Sequence, residues 1–245
     1  MKRTLEWQIA TVKAIRQETA NVKTLTLALL KWVPHRPGQH YDIRLTAEDG
    51  YSAQRSYSIG SEPERHGEID ITVERIRDGE VSPFLDDVVV VGDRFEVRGP
   101  IGGYFVWEAS DGGPLLLVAG GSGIVPLMAM ARHRAAVGAT VPARLLYSSR
   151  NFDDIIYRVD LDTLAKRDGL QVFHTLTRSQ PEGWQGFARR IDDRMVAEVN
   201  KPFGPKAQVF ICGPTALVET AADAAEAAGV AAERIKTERF GPTGA

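Results

Sequence analysis

Arg55, Tyr57 and Ser58 stand at i, i+2 and i+3 in the run Arg55-Ser56-Tyr57-Ser58, at the end of an alternating stretch over residues 51–57. On an extended backbone Arg55 and Tyr57 project to one face and Ser58 turns to the other. A guanidinium can fork onto a phosphate, a phenol can lie against a conjugated ring, and a hydroxyl can hydrogen-bond a ring heteroatom. A phosphorylated flat ligand such as a flavin nucleotide offers all three partners. Arg and Tyr alternating on a strand also describe an ordinary solvated sheet face, and the tetrapeptide alone leaves both readings open. In Gly79-Glu80-Val81-Ser82, followed by Pro83, the serine and proline suit the N-cap and first position of a short helix over 84–87. Such a helix start can receive a phosphate, or it can simply be a capped helix filling the mouth of a barrel. Gly120-Gly121-Ser122-Gly123 is a third candidate, either a phosphate cradle or a turn built for close packing. No lysine of a nucleotide-triphosphatase loop follows it, so ATP chemistry is not expected.

Such residues need rigid elements to hold them. Residues 7–15, 22–30, 39–46 and 69–76 alternate apolar and polar side chains, with turn signals at 17–21, at Pro34 and Pro37-Gly38, and at Glu48-Asp49-Gly50. Short, evenly spaced strands of this kind predict a small antiparallel barrel or sandwich. A further strand over 95–98 precedes Gly99-Pro100-Ile101-Gly102-Gly103, where the backbone passes close to something or turns a corner. Composition shifts at 108–114, which reads as a linker between a first domain, 1–108, and a second, 114–245. In the second, strands over 115–119, 144–147, 170–176, 208–212 and 234–240 alternate with helices over 124–136, 154–166, 192–199 and 215–228. The apolar run 115–119 suits a strand buried on both faces, and Pro126 is tolerable in a first helical turn. The alternation predicts a doubly wound α/β fold with a parallel sheet, which takes ligands at the carboxyl ends of its strands. The glycine turn at 120–123 falls at that place.

Composition narrows the function. Hydrophobic residues make up 43% and charged residues 25%, and the formal net charge of −2 gives no basic surface for nucleic acid. The polar start, residues 1–7, lacks the apolar stretch of a signal peptide, and no apolar run approaches a membrane span, so a cytoplasmic protein off the membrane is expected. Cys212 is the single cysteine, which leaves no ligands for an iron–sulfur cluster or cysteine zinc site in this sequence. The histidines are scattered; His40, His133 and His174 read as packed or surface residues, and no metal site is expected.

Arg55-Ser56-Tyr57-Ser58, Gly79-Glu80-Val81-Ser82, Gly99-Pro100-Ile101-Gly102, Gly120-Gly121-Ser122-Gly123-Ile124-Val125-Pro126, Cys212-Gly213-Pro214 and Glu238-Arg239-Phe240 occur in one order along the chain. That order resembles the ferredoxin–NADP reductase superfamily, and Pro37-Gly38-Gln39 fits it too. The resemblance implies an N-terminal flavin-binding barrel, a C-terminal nicotinamide-dinucleotide domain, and hydride transfer across their interface. It implies that Arg55 holds the flavin phosphate, Tyr57 stacks on the isoalloxazine and Ser58 bonds near its N5. Gly79, Glu80, Val81 and Ser82 would face a pyrophosphate, which favours FAD over FMN. Gly121, Ser122, Gly123 and Pro126, with Gly213 and Pro214, would receive the nicotinamide dinucleotide. Cys212 would lie beside the reacting nicotinamide, and Glu238 and Phe240 near the flavin, although Phe240 is followed here by residues 241–245.

Coenzyme choice follows from charge. A sheet that prefers NADH commonly ends its second strand with a carboxylate for the ribose diol. Here the strand ends Tyr147-Ser148-Ser149-Arg150, with Arg178 and Arg190 further on, and such arginine sets resemble those of NADPH-using relatives. Ser149 and the three arginines are therefore coenzyme candidates, with NADPH favoured over NADH. The expected function is an NAD(P)H-dependent flavoprotein reductase, a monomer, passing electrons to a separate ferredoxin-like or oxygenase component. A flavin or ferric reductase with a small-molecule acceptor is one alternative, and a flavin-binding electron-transfer or regulatory subunit is another.

Overall fold

The computed structural model describes residues 5–240. The readings that concern residues 1–4, at the polar start of the chain, and residues 241–245, after Phe240, lie outside the described residues. The first half forms a six-stranded antiparallel sheet in the order β4-β3-β6-β1-β2-β5, with β1 (Gln8–Thr19), β2 (Val22–Leu29), β3 (His40–Thr46), β4 (Ser52–Ser58), β5 (Glu68–Glu74) and β6 (Arg94–Ile101). An antiparallel bridge between Ile59 and Ile71 joins the two ends of that order and closes a barrel. β1 runs four residues beyond the predicted strand, and the turn narrows to Ala20 and Asn21. Two register shifts, between Val12 and Ala14 and between Gln17 and Thr19, bend the strand so that it pairs with β6 at its start and with β2 further along.

The alternation in β5 has an unexpected use. Ile69, Ile71 and Val73 fill the barrel core at 0% exposure, as the pattern requires. The polar phase is buried as well, because the second domain covers it: Asp70 and Thr72 are both buried. They tolerate this because Thr24 and Thr72 hydroxyls meet at 2.8 Å and Thr26 donates to Asp70 at 2.7 Å.

Residues 84–88 make one wide helical turn, Phe84–Val88, but Ser82 does not cap it. Ser82 is itself already helical, and its hydroxyl instead accepts from the Ile76 N–H at 3.1 Å, closing the 76–82 loop. The polar stretch after the barrel is also well fixed. Trp107 is fully buried and donates from its indole N–H to the Gly112 carbonyl at 2.9 Å, and Glu108 and Asp111 cap a short turn reciprocally.

The second half is a five-stranded parallel sheet in the order β11-β10-β7-β8-β9, from β7 (Leu115–Gly120), β8 (Ala143–Ser149), β9 (Gln171–Leu176), β10 (Gln208–Pro214) and β11 (Ile235–Phe240). Leu115, Leu117 and Ala119 face α1 (Ile124–Ala136) and α2 (Arg158–Asp168); Leu116 and Val118 face α3 (Asp193–Asn200) and α4 (Thr215–Ala227). That is the doubly wound arrangement. α2 starts four residues later than the periodicity predicts. Residues 152–154 form a separate turn, and Tyr157 takes a left-handed conformation (φ 59°), so helix geometry begins only at Arg158.

The strand order reverses between β7 and β10, and there the backbones crowd. A Cβ on Gly123 would lie 2.1 Å from the Cys212 carbonyl oxygen. Gly123→Ala should therefore push α1 off β10 and lower stability by about 1–3 kcal/mol, read as a shift in the denaturant midpoint. An unchanged midpoint would show that α1 moves aside freely.

Candidate active site

A cleft of about 1310 Å³ runs between the two halves. It exceeds the roughly 300–1,000 Å³ of a pocket for one drug-sized ligand, so two dinucleotide-sized molecules are a better match. The barrel contributes Arg55, Tyr57 and Ser58 from β4, Thr72 and Glu74 from β5, and the loop Gly79 to Ser82. The sheet contributes Gly120, Gly121 and Ser122 at the end of β7, Ser148, Ser149 and Arg150 at the end of β8, Thr177 after β9, and Pro214 and Thr215 at the end of β10. Phe240 lines it from the end of β11, opposite Pro214 in the pairing register. These are the carboxyl ends of the parallel strands, at the reversal of strand order, where such sheets bind ligands.

Arg55 is already tied within its wall. Its guanidinium donates to Glu80 at 2.7 Å and to the Gln54 carbonyl at 2.7 Å, and Tyr51 donates to the other Glu80 oxygen at 2.5 Å. The Tyr51 hydroxyl and Arg55 hold the Glu80 carboxyl below the usual carboxylate range. Glu80 thus partly offsets the Arg55 cation, while the remaining guanidinium N–H groups would be left as donors for an anion. Tyr57 is half-buried, and burial pushes its phenol up, so the ring presents a neutral face.

Several predicted residues lie behind the cleft surface rather than in it. Gly123 and Pro126 are buried, Pro126 within the first turn of α1. Cys212 is 0% exposed on β10, and burial, with Glu238 beside it in register, pushes its thiol well up. Gly213 passes the β7 end so closely that a Cβ there would lie 3.1 Å from the Gly120 nitrogen. Glu238 keeps one carboxylate oxygen buried with no hydrogen-bond partner, and burial pushes its pKa up to about 7. Of the three arginines, Arg150 lines the cleft; Arg178 is exposed and donates its backbone N–H to the Arg150 carbonyl at 2.9 Å. Arg190 is exposed beyond a parallel bridge between Thr175 and Phe187 that extends the sheet past β9.

The arrangement fits a flavin and a nicotinamide dinucleotide. It offers a cation and an aromatic ring on one wall, a glycine turn on the other, and no side chain where the backbones of β7 and β10 pass. Among the described residues, no cluster of three His, Cys, Asp or Glu could hold a metal, and no helix is long and apolar enough to cross a membrane. His133 is packed, accepting from the Ala109 N–H and meeting Glu64 at 2.8 Å.

Comparison with known proteins finds a known domain family in each half. The oxidoreductase FAD-binding domain matches residues 9–106, and the oxidoreductase NAD-binding domain matches residues 117–223. The glycine betaine monooxygenase reductase subunit of Pseudomonas aeruginosa is 32% identical over 95% of this chain and 63% of its own length. The ferredoxin reductase component of 3-ketosteroid-9-alpha-monooxygenase from Mycolicibacterium smegmatis is 32% identical over 96% of this chain and 65% of its own length. This chain therefore spans somewhat less than two thirds of these curated relatives. The fold superposes on the flavohem-like FAD/NAD-binding domain of nitric oxide dioxygenase from Vibrio cholerae with a TM-score of 0.84, covering 96% of this chain and 98% of that one at 24% identity. The barrel, the parallel sheet and the two matched domains define a flavoprotein oxidoreductase. The chain carries the FAD-binding and NAD-binding oxidoreductase domains, and its fold is that of ferredoxin–NADP reductases.

Sequence reasoning passed over Thr72, Thr177 and Thr215 in the cleft, and Tyr147 beneath it. Tyr147 donates to the Gly121 carbonyl at 3.1 Å and accepts from the Ile156 N–H at 3.3 Å, so it fixes the glycine turn from below. The polar phase of β5 was the one available signal for Thr72; an aromatic at the end of a buried strand carried none for Tyr147.

Glu238 gives a pH test. Its folded pKa of about 7 stands above the 4.5 of a free glutamate, so the folded state binds the extra proton between these values. Its contribution is whole below pH 4.5 and is lost as pH rises through 7. Glu238→Gln should leave the melting temperature unchanged near pH 4.5 and raise it above pH 7, and equal shifts at both would disprove the assignment.

Proposed function

We propose that the protein takes hydride from NAD(P)H, with NADPH favoured, onto FAD and passes the electrons to a separate acceptor, a ferredoxin-like or oxygenase component. What supports this most is one continuous cleft in which Arg55, Tyr57 and Ser58 face the Gly120 to Ser122 turn from the opposite domain. In this reading residues 1–108 are the FAD-binding domain and 114–245 the NAD(P)-binding domain. Arg55 binds the flavin phosphate, Tyr57 covers one face of the ring and Ser58 bonds its edge. The backbone of Gly79 to Val81 and the Ser82 loop take the pyrophosphate, with Glu80 setting the charge on Arg55. Gly121 and Ser122 take the coenzyme phosphates, Gly123, Pro126 and Gly213 shape the turn beneath them, and Ser149 and Arg150, flanked by Arg178 and Arg190, take the ribose phosphate. Pro214 and Phe240 form the floor where the reacting rings meet, with Cys212 and Glu238 behind it.

A bound flavin accepts two electrons with the hydride and releases them singly, which is the chemistry that couples a nicotinamide to a one-electron acceptor. The chain's own task is to orient and to exclude water. Tyr57 presents an uncharged ring there, and the buried Cys212 thiol behind it adds no charge.

The direct experiment is an absorption spectrum followed by anaerobic titration with NADPH and NADH. A flavin band bleached rapidly by NADPH supports the reading; a protein that takes up no FAD refutes it. Turnover with free flavin as fast as with any protein acceptor would point to a small-molecule acceptor. In the same assay Arg150→Ala should weaken NADPH by about 1.5–3 kcal/mol, the size of a charged hydrogen bond, and NADH much less. Equal losses for the two coenzymes would remove Arg150 from the ribose phosphate.

A further inference from the structure

Tyr157 is the one non-glycine residue with positive φ among the described residues, and it sits at the junction of the two domains. Backbone of that kind is strained and persists where the surroundings impose it. The surroundings here are specific. The ring is 1% exposed and lies between two guanidiniums, Arg132 at 4.8 Å and Arg16 at 5.9 Å from its centroid. Asp160, in the first turn of α2, accepts from Arg132 at 2.6 Å and from Arg16 at 2.8 Å, and Arg132 also donates to the Gly60 carbonyl at 2.6 Å. Arg16 and Gly60 belong to the barrel side, Arg132 and Asp160 to the sheet side. The barrel opens a place for the phenol: a Cβ on Gly60 would lie 2.5 Å from the Tyr157 hydroxyl.

The phenol is hydrogen-bonded to Thr72, and the protons can be placed by counting donors. Thr24 donates to Glu18 at 2.6 Å, so its single hydroxyl proton is committed and it accepts from Thr72. Thr72 therefore accepts from Tyr157. The row Tyr157, Thr72, Thr24, Glu18 runs one way, from the sheet domain into the barrel, and ends on a carboxylate. Burial pushes the Tyr157 phenol up to about 12, against the opposing pull of Arg132, so it remains a donor throughout the neutral range.

Both ends of this contact are walls of the cleft. Thr72 lines it from the barrel. Ile156, next to Tyr157, lines it from the sheet and donates its N–H to Tyr147, which in turn holds the Gly121 carbonyl. One short path of hydrogen bonds therefore joins the glycine turn to the barrel wall. We propose that Tyr157, through its hydroxyl on Thr72, is a positioning residue that sets the separation between the flavin-binding and nicotinamide-binding halves. The inference rests on the proposed hydride transfer for its catalytic consequence and on the coordinates alone for its geometric one. An error of about 1 Å in the approach of reacting groups can cost on the order of a hundredfold in rate.

The test uses Tyr157→Phe and Thr72→Val, each removing one hydroxyl with little change of shape. Single-turnover flavin reduction at saturating NADPH should slow by about tenfold or more in either variant, with coenzyme affinity and flavin content within about twofold of the parent. The double variant should be no slower than the singles, because both break one contact. A second readout needs no cofactor: spin labels at Leu30→Cys on the barrel and Glu219→Cys on the sheet domain, both exposed, should show a broader distance distribution in the Phe variant than in the parent. A lowered melting temperature with unchanged reduction rate and unchanged distances would make Tyr157 merely structural and overturn the proposal. If Tyr157→Phe fails to fold, Thr72→Val alone decides it by the same readouts. If the parent itself is not reduced by either coenzyme, the proposed function fails, while the distance measurement still judges the spacing role.

Discussion

The shape of the cleft depends on one carboxylate. Asp160 receives Arg16 from the barrel and Arg132 from the sheet domain. Burial pushes Asp160 up, but the two guanidiniums outweigh that and hold it below the usual range. Isolated surface ion pairs contribute little, but here the pairs are partly buried and form a network with Tyr157 and the Gly60 carbonyl. The walls of the cleft have no covalent tie other than the stretch after β6, so their relative placement is set by these contacts. Lys236 and Arg132 show the same habit, each sending a long side chain across to a carbonyl of the other half or its connecting stretch.

Beneath that network the structure keeps charge away from the floor of the site. Cys212 is a neutral thiol, Tyr57 a neutral phenol, and Glu238 stands near the midpoint of its own titration at neutral pH. Charged groups line the walls, Arg55 with Glu80 and Glu74 on the barrel side and Arg150 on the sheet side. Cations on the walls can hold phosphates while uncharged rings meet between them, which suits transfer between two flat heterocycles better than acid–base chemistry.

Much of this was legible in the sequence. The apolar run at 115–119 can only be a strand buried on both faces, and the glycines that follow it mark the strand-to-helix turn. The alternation at 69–76 marked a strand but not its surroundings: its polar phase reads as solvated, and only the second domain, distant in sequence, turns that face inward. The same limit hid Tyr157. A periodic pattern reports side-chain spacing, and it ran smoothly through 154–157 although the backbone there turns left-handed. Ser82 is a case of competing partners, since a hydroxyl suited to cap a helix found a nearer backbone donor at Ile76. Contacts across long sequence separations decided the first two, and a contact only six residues away decided the third.

The polar phase of β5 has one more consequence. Because Thr24 bonds Thr72, and Thr26 and Arg65 bond Asp70, within the barrel and its adjoining loop, the face that meets the sheet domain is hydrophilic in its own right. Interfaces between domains of one chain are commonly of this more polar kind. A junction so built behaves as a standard coupling rather than a weld: the barrel could be joined to a different nucleotide-binding partner, provided the newcomer supplies an aromatic hydroxyl for Thr72 and a carboxylate for Arg16.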